Sequence, residues 1–201
     1  MEILQNEEED GIKEGYLRVT EVISPFTGIE FVPKEILEPA CERGTAVHKS
    51  IEAILSGWDL HVQDEVSKPY VESFRKFWES SKHAFDGKIT LEKRFYCDQH
   101  KITGQVDVMI ETEDRTYLID WKTSSSFQKS FYLQGAVYRH LCEVNGYKKV
   151  DNVLFVKLNK EGKAPCPYKS DDHVANLDIF FKCLELFKYF QMEKTRNKWE
   201  R

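Results

Sequence analysis

Ile102-Thr103-Gly104-Gln105-Val106-Asp107-Val108-Met109-Ile110-Glu111, followed after a four-residue break by Thr116-Tyr117-Leu118-Ile119-Asp120-Trp121-Lys122, reads as two β-strands. Both runs are rich in β-branched and aromatic residues, and turn-forming polar residues separate them. Upstream, Ile89 to Cys97 has the same character and starts just after an Asp86-Gly87 break, giving a third strand candidate. Three strands this close in sequence predict an antiparallel meander. With the second turn centred between Glu113 and Asp114, the numbers of paired residues sum to 227, and Asp107 falls opposite Asp120. Their α-carbons are then about 5 Å apart. Glu113-Asp114 is not the Asn-Gly type that tight turns favour, so a loop of odd length gives a shifted register instead. Lys122 lies two residues beyond Asp120 and projects from the same face of its strand.

Working outward, Pro39 to Ser56 places Ala40, Val47, Ile51, Ile54 and Leu55 at helical spacing, with Gly57 as a C-cap. His48 and Glu52 are four apart and share one face of that helix. A second helix is predicted from about Val66 to Ala84, burying Tyr70, Phe74, Phe77 and Trp78, and a third from about Gln128 to Val144, ending at Asn145-Gly146. Val153 to Leu158 reads as a short buried strand, Gly162 to Pro167 as a loop, and Val174 to Trp199 as a long final helix. Tyr16 to Ile23 is β-branched and reads as a strand stopped by Ser24-Pro25. A helix before the fourth core strand permits a parallel crossover. The fold class is therefore α/β: one domain over residues 16–201, with a mixed sheet of a three-strand antiparallel meander plus a parallel strand, flanked by helices. Residues 1–15 are acidic and lack apolar periodicity, which predicts a flexible tail.

Composition narrows the function classes. Hydrophobic residues make up 41% of the 201 and charged residues 31%, values of a globular protein rather than a disordered one. Apolar runs such as Val153-Leu154-Phe155-Val156 are far too short to cross a bilayer, and Glu7-Glu8-Glu9-Asp10 is unlike a secretory leader. A cytoplasmic protein is expected, with no membrane partner. The five cysteines (Cys41, Cys97, Cys142, Cys166, Cys183) contain no C-x-x-C pair, supporting neither a disulfide framework nor a zinc knuckle. His61, His83, His100, His140 and His173 show no recognisable ligand spacing and read as structural or surface residues. A net charge of −5 argues against indiscriminate polyanion binding, although residues 182–201 carry six Lys/Arg against three Glu.

Two carboxylates and a lysine on neighbouring strands suit phosphodiester hydrolysis. Hard carboxylate oxygens hold Mg²⁺ or Mn²⁺, which acidifies water and polarises phosphate. A lysine beside the scissile group orients water or neutralises developing charge. Alone, the pattern more often marks solvent-facing strand ends.

The conjunction is more specific. Gly44-Thr45-Ala46-Val47-His48-Lys49-Ser50-Ile51-Glu52, then Glu92, Gly104-Gln105-Val106-Asp107, Asp120-Trp121-Lys122-Thr123 and Gln134-Gly135-Ala136-Val137-Tyr138 occur in this order. Together they resemble the RecB-like exonuclease branch of the PD-(D/E)XK nuclease superfamily, from about Val19 to about Leu158. The resemblance implies a restriction-endonuclease-like core. It implies that His48, Asp107 and Asp120 are metal ligands, joined by the Trp121 carbonyl, and that Lys122 is catalytic. Glu92 would support the metal site or its waters, while Gln134 and Tyr138 would position Lys122 and the DNA backbone. Val106 stands where the superfamily's name has proline, as in the glycine-led form of this branch.

Arg43, Lys49, Arg94 and Lys129 are candidates to track DNA phosphates. Some relatives hold an iron-sulfur cluster with three clustered C-terminal cysteines; here Cys166 and Cys183 stand far apart near the end and form no such group, so no cluster is expected. No G-x-x-x-x-G-K-[ST] loop is present, so no nucleotide is expected. The implied activity is a stand-alone, Mg²⁺- or Mn²⁺-dependent DNA exonuclease of recombination, repair or processing, acting on single-stranded or free-ended DNA. The alternatives are a flap- or branch-specific endonuclease on the same core, and a non-catalytic nucleic-acid-binding module on a nuclease scaffold.

Overall fold

Near-continuous apolar strands need both faces covered, and the predicted helices supply the cover on each side of one sheet. A computed structural model describes residues 2–4, 12–59, 62, 64–147 and 149–199, with side chains described between 12 and 191. In chain order the elements are β1 (Glu2–Leu4), β2 (Leu17–Arg18), α1 (Val19–Ile23), α2 (Lys34–Leu55), α3 (Lys68–Ser81), β3 (Gly87–Cys97), β4 (Ile102–Thr112), β5 (Thr116–Lys122), α4 (Ser130–Val144), β6 (Asn152–Lys157), β7 (Cys166–Lys169) and α5 (His173–Trp199). The strands form one mixed sheet in the order β1-β3-β4-β5-β6-β7, with β2 paired to β4. β3, β4 and β5 are the expected antiparallel meander, and β6 adds parallel to β5 after the α4 crossover. The register of the second hairpin follows the sum of 227, from Glu111↔Thr116 to Val108↔Ile119.

Two apolar layers close the sheet. Val47, Ile51 and Leu55 of α2 and Tyr70, Phe74 and Phe77 of α3 pack with Tyr117, Ile119 and Trp121 of β5. Val137 and Leu141 of α4 and Phe180, Leu184 and Phe187 of α5 pack with Leu118, Val153 and Phe155 on the other face. The α3 aromatics are therefore core: Phe74 meets Trp121 edge-on at 5.1 Å and stacks on Trp78 at 6.1 Å.

Along β3 and β4 the alternation changes sides partway. Ile89 and Leu91 belong to the α2/α3 layer, whereas Phe95 and Cys97, of the same parity, belong to the α4/α5 layer. On β4 the same exchange separates Val108 and Ile110 from Ile102 and Val106. It occurs at Glu92 and Asp107, which drop out of the ladder between Leu91↔Val108 and Lys93↔Val106. Glu92 has φ 46°, the left-handed region that a non-glycine residue seldom occupies. β5 does not switch, so Asp120 and Lys122 share the α4 face with Leu118.

Four local readings are corrected. Val19–Ile23 is helical because Val19, Val22 and Ile23, at i, i+3 and i+4, are all buried, and that burial outweighs their β-propensity. Helix α2 starts at Lys34 and carries Pro39 inside it rather than at its start. Cys166 and Pro167, read as loop, lie in β7, an edge strand where a missing N–H is tolerated. Glu2–Leu4, read as tail, pair parallel with β3, while residues 1 and 5–11 of that tail, and His61, lie outside the described residues. Among the described residues, no helix is long and apolar enough to cross a membrane.

Candidate active site

The hairpin ladder stops one pair short of Asp107 and Asp120, and side chains continue it. The Asp107 Oδ2 atom accepts the Trp121 backbone N–H at 2.8 Å. With Val47, Ile51 and Leu55 seated on the sheet, α2 turns His48 to the same place. There its Nε2 lies 2.9 Å from the Trp121 carbonyl oxygen and its Nδ1 3.3 Å from Asp107 Oδ2. Both backbone polar groups of Trp121 are thus gripped, while its indole anchors the residue in the core, 1% exposed.

On the other face, Lys122 Nζ forms an ion pair with Asp120 Oδ2 at 2.6 Å and donates to Gln134 Oε1 at 2.9 Å. Gln134 Nε2 in turn donates to the Tyr138 hydroxyl at 2.9 Å. The lysine nitrogen also lies 4.6 Å from the Phe131 ring centre, a cation–π approach. Two glycines let α4 come this close. A Cβ on Gly135 would stand 2.7 Å from the Phe155 ring, and one on Gly104 would stand 2.6 Å from the Tyr138 ring. Gly44 meets only the Thr123 hydroxyl, at 3.6 Å, so no comparable crowding demands it.

Glu92, turned by its positive φ, takes a hydrogen bond from Gln105 Nε2 at 2.9 Å, and Gln105 Oε1 accepts from Arg94. One donor atom each from His48, Glu92 and Asp107 lies within 4.8 Å of the others. Burial, with the nearby Asp107 charge, pushes the Glu92 carboxyl up to about 8. Burial also raises Asp120, against the pull of Lys122, to about 6. For His48 burial opposes the charged form, but the charge and hydrogen bond of Asp107 carry it up to about 9. Burial likewise opposes ionisation of Asp107, yet His48 and then Lys122 hold it below the ordinary carboxylate value. Such a set suits a divalent cation, which replaces the protons of Glu92 and His48 and relieves the crowding of carboxylates. The donors are oxygen and imidazole, compatible with Mg²⁺ and, through His48, especially with Mn²⁺.

Every core position singled out in the sequence meets here: His48, Glu92, Asp107, Asp120, Trp121, Lys122, Gln134 and Tyr138. Glu92 groups with His48 and Asp107, whereas Asp120 is engaged by Lys122. The proposed phosphate contacts are more scattered. Arg43 lies over Tyr70 at 5.5 Å, Arg94 is tied to Gln105, and Lys49 and Lys129 are exposed. Gln105 and Glu52 were given no firm role by sequence reasoning. Gln105 links Glu92 to Arg94, and Glu52 adds negative potential at Glu92. Its i+4 offset from His48 was the available signal for Glu52.

Solved structures share this architecture. One, from Eubacterium rectale and named "Putative exonuclease", aligns with a TM-score of 0.56 at 15% identity, covering 86% of this chain and 78% of the other. Another, solved under the name SSO0001, aligns with a TM-score of 0.50 at 16% identity, covering 88% and 79%. At such identities they establish the fold class, a mixed open sheet between helices. The family model of the PD-(D/E)XK nuclease superfamily matches residues 22–198, and the chain belongs to that superfamily. Its class of chemistry is accordingly that of a nuclease, a hydrolase acting on nucleic acid. No curated protein matches the chain significantly.

Proposed function

We propose that the protein is a DNA exonuclease of the RecB-like branch, dependent on Mg²⁺ or Mn²⁺ and acting on strands with a free end in recombination, repair or processing. The observation that carries this reading is a lysine fixed by Asp120 and Gln134 beside the gathered donors of His48, Glu92 and Asp107. His48, Glu92 and Asp107 would hold the cation, with Asp120 and the Trp121 carbonyl at its border. When bound, the ion supplies Lewis-acid polarisation of phosphate and a more acidic water. Lys122 orients the attacking water and offsets charge developing on the phosphate. Gln134 and Tyr138 hold that lysine in one place, which shortens the search for a productive geometry. Arg43, Lys49, Arg94 and Lys129 steer the phosphate backbone toward the acids.

The test is incubation with Mn²⁺ and end-labelled single-stranded, double-stranded and closed circular single-stranded DNA. Linear strands should be degraded and the circle spared. EDTA should stop the reaction, and Lys122→Ala should lower the rate about 10³-fold or more with folding and DNA binding retained. A cut circle would transfer the assignment to an endonuclease, and undiminished activity of Lys122→Ala would remove it.

A further inference from the structure

A second donor cluster lies at the opposite end of β3. Cys97 closes that strand, His100 sits in the turn to β4, and His140 projects from α4. One donor atom each from Cys97, His100 and His140 lies within 4.8 Å of the others. We propose that Cys97, His100 and His140 form a structural site for Zn²⁺ or a similar borderline-soft divalent metal, separate from the carboxylate centre.

Three observations converge on it. The Nε2 atom of His140 is buried and has no hydrogen-bond partner, a state that buried imidazole nitrogens avoid. Cys97 is 4% exposed whereas both histidines are partly open, so the thiol is shielded and an ion can still enter from the imidazole side. Phe181 of α5 lies 4.3 Å from the His100 ring and 5.8 Å from the His140 ring, giving the pair a dry wall.

The donor set decides the ion class. One thiolate with two imidazoles prefers zinc-like metals, whereas the oxygen-rich group of His48, Glu92 and Asp107 prefers Mg²⁺ or Mn²⁺. Zinc bonds of about 2.3 Å to sulfur and about 2.0 Å to nitrogen put tetrahedral ligands roughly 3.5 Å apart, inside the 4.8 Å that bounds the three donor atoms. His100, in the turn, can make whatever adjustment that geometry asks. Its carbonyl already accepts from Lys188 Nζ at 3.0 Å, so the turn is tacked to α5. A metal would add a second tie, from the β3–β4 turn to α4. Cys97 lies five positions along the strand from Glu92, about 16 Å at 3.3 Å per residue, so the two centres are distinct.

The experiment strips the full chain with EDTA and titrates it with Co²⁺ as a spectroscopic probe, then with Zn²⁺. One Co²⁺ per chain should give a sulfur-to-cobalt charge-transfer band in the near ultraviolet, bleached by Zn²⁺ and unchanged by Asp107→Asn. Cys97→Ser should lose the band. Because that buried position could disturb folding, His100→Asn in the partly open turn provides the decisive variant: circular dichroism unchanged, band lost, and no rise in melting temperature with Zn²⁺. Absence of a thiolate band in the folded wild-type chain overturns the proposal. So does a band that survives His100→Asn and His140→Asn, since it would come from other thiols such as Cys41 or Cys166.

Discussion

At the scale of single residues the site depends on Gln134. Its carbonyl oxygen receives Lys122 and its amide nitrogen serves the buried Tyr138 hydroxyl, each at 2.9 Å. Leucine in its place keeps the volume and the helix propensity but removes both partners. With only the Asp120 ion pair left, the lysine can swing by an ångström or more, a displacement that costs about 10²-fold in rate. The orphaned tyrosine hydroxyl costs about 1–3 kcal/mol of stability. Gln134→Leu should therefore lower kcat about 10²-fold with little change in KM, and denaturant unfolding should register the smaller stability loss. Tyr138→Phe removes the hydroxyl itself, leaves the Lys122 contact intact, and should retain most activity. Equal losses in the two variants would contradict this division. These residues were legible in the sequence through the match of Gln134-x-x-x-Tyr138 to the family pattern, and four-residue spacing placed them on one helix face. What Gln134 touches was not, since that depends on how near α4 comes to the sheet.

At the scale of elements that nearness is set by Gly135. In the middle of α4 a glycine forfeits about 1 kcal/mol of helix propensity relative to alanine, so Gly135→Ala gains locally. Against this, the new methyl would sit 2.7 Å from Phe155 and 2.9 Å from Val153, a clash with packed rings and strand side chains. Overpacking of this kind costs about 1–3 kcal/mol, which exceeds the gain. Gly135→Ala should accordingly be destabilised in chemical denaturation and impaired in cleavage, as α4 lifts Gln134 and Tyr138 away from Lys122. A stabilised, fully active variant would show that the helix can shift without consequence. The same competition between local preference and packing explains where sequence reading of elements failed. Val19–Ile23 has a strand's composition, yet its i, i+3, i+4 spacing buries three apolar side chains in a helix. Pro39 reads as a helix start because the turn preceding it carries no buried stripe, with Ile36 63% exposed. The meander, the parallel crossover and the 227 register were legible because strand alternation and loop length fix them together. The exchange of faces at Glu92 and Asp107 was not, because a positive φ at a glutamate leaves no mark in composition.

At the scale of the whole molecule that exchange joins the two layers at one point: His48 arrives from the α2 layer, Lys122 and Gln134 from the α4 layer, and the acids lie between. Without a cation, protons balance the cluster. Glu92 is raised from its ordinary 4.5 to about 8, first by burial, and His48 from 6.5 to about 9, by Asp107 against the cost of burial. Both shifts are upward, so the folded chain binds more protons than the unfolded one across this window. The stability they contribute is complete below the unfolded values, about 4.5 for Glu92 and about 6.5 for His48, and is lost as pH rises through about 8 and about 9. In EDTA the melting temperature should therefore fall between about pH 6 and about pH 10, and Glu92→Gln should flatten the lower part of that fall. A cation that replaces the protons reverses the dependence, binding more tightly as pH rises. At a hundredfold excess over its Kd it stabilises by about 2.7 kcal/mol, roughly 5–10 °C for a chain of this size. Differential scanning calorimetry at stepped pH, with EDTA or Mn²⁺, measures both effects. A melting temperature that climbs with pH in EDTA, or that Mn²⁺ leaves unmoved at alkaline pH, would mean that His48, Glu92 and Asp107 do not act as one cation-binding unit. His48→Ala should shrink the Mn²⁺ shift most, because His48 alone ties the ion to the α2 layer.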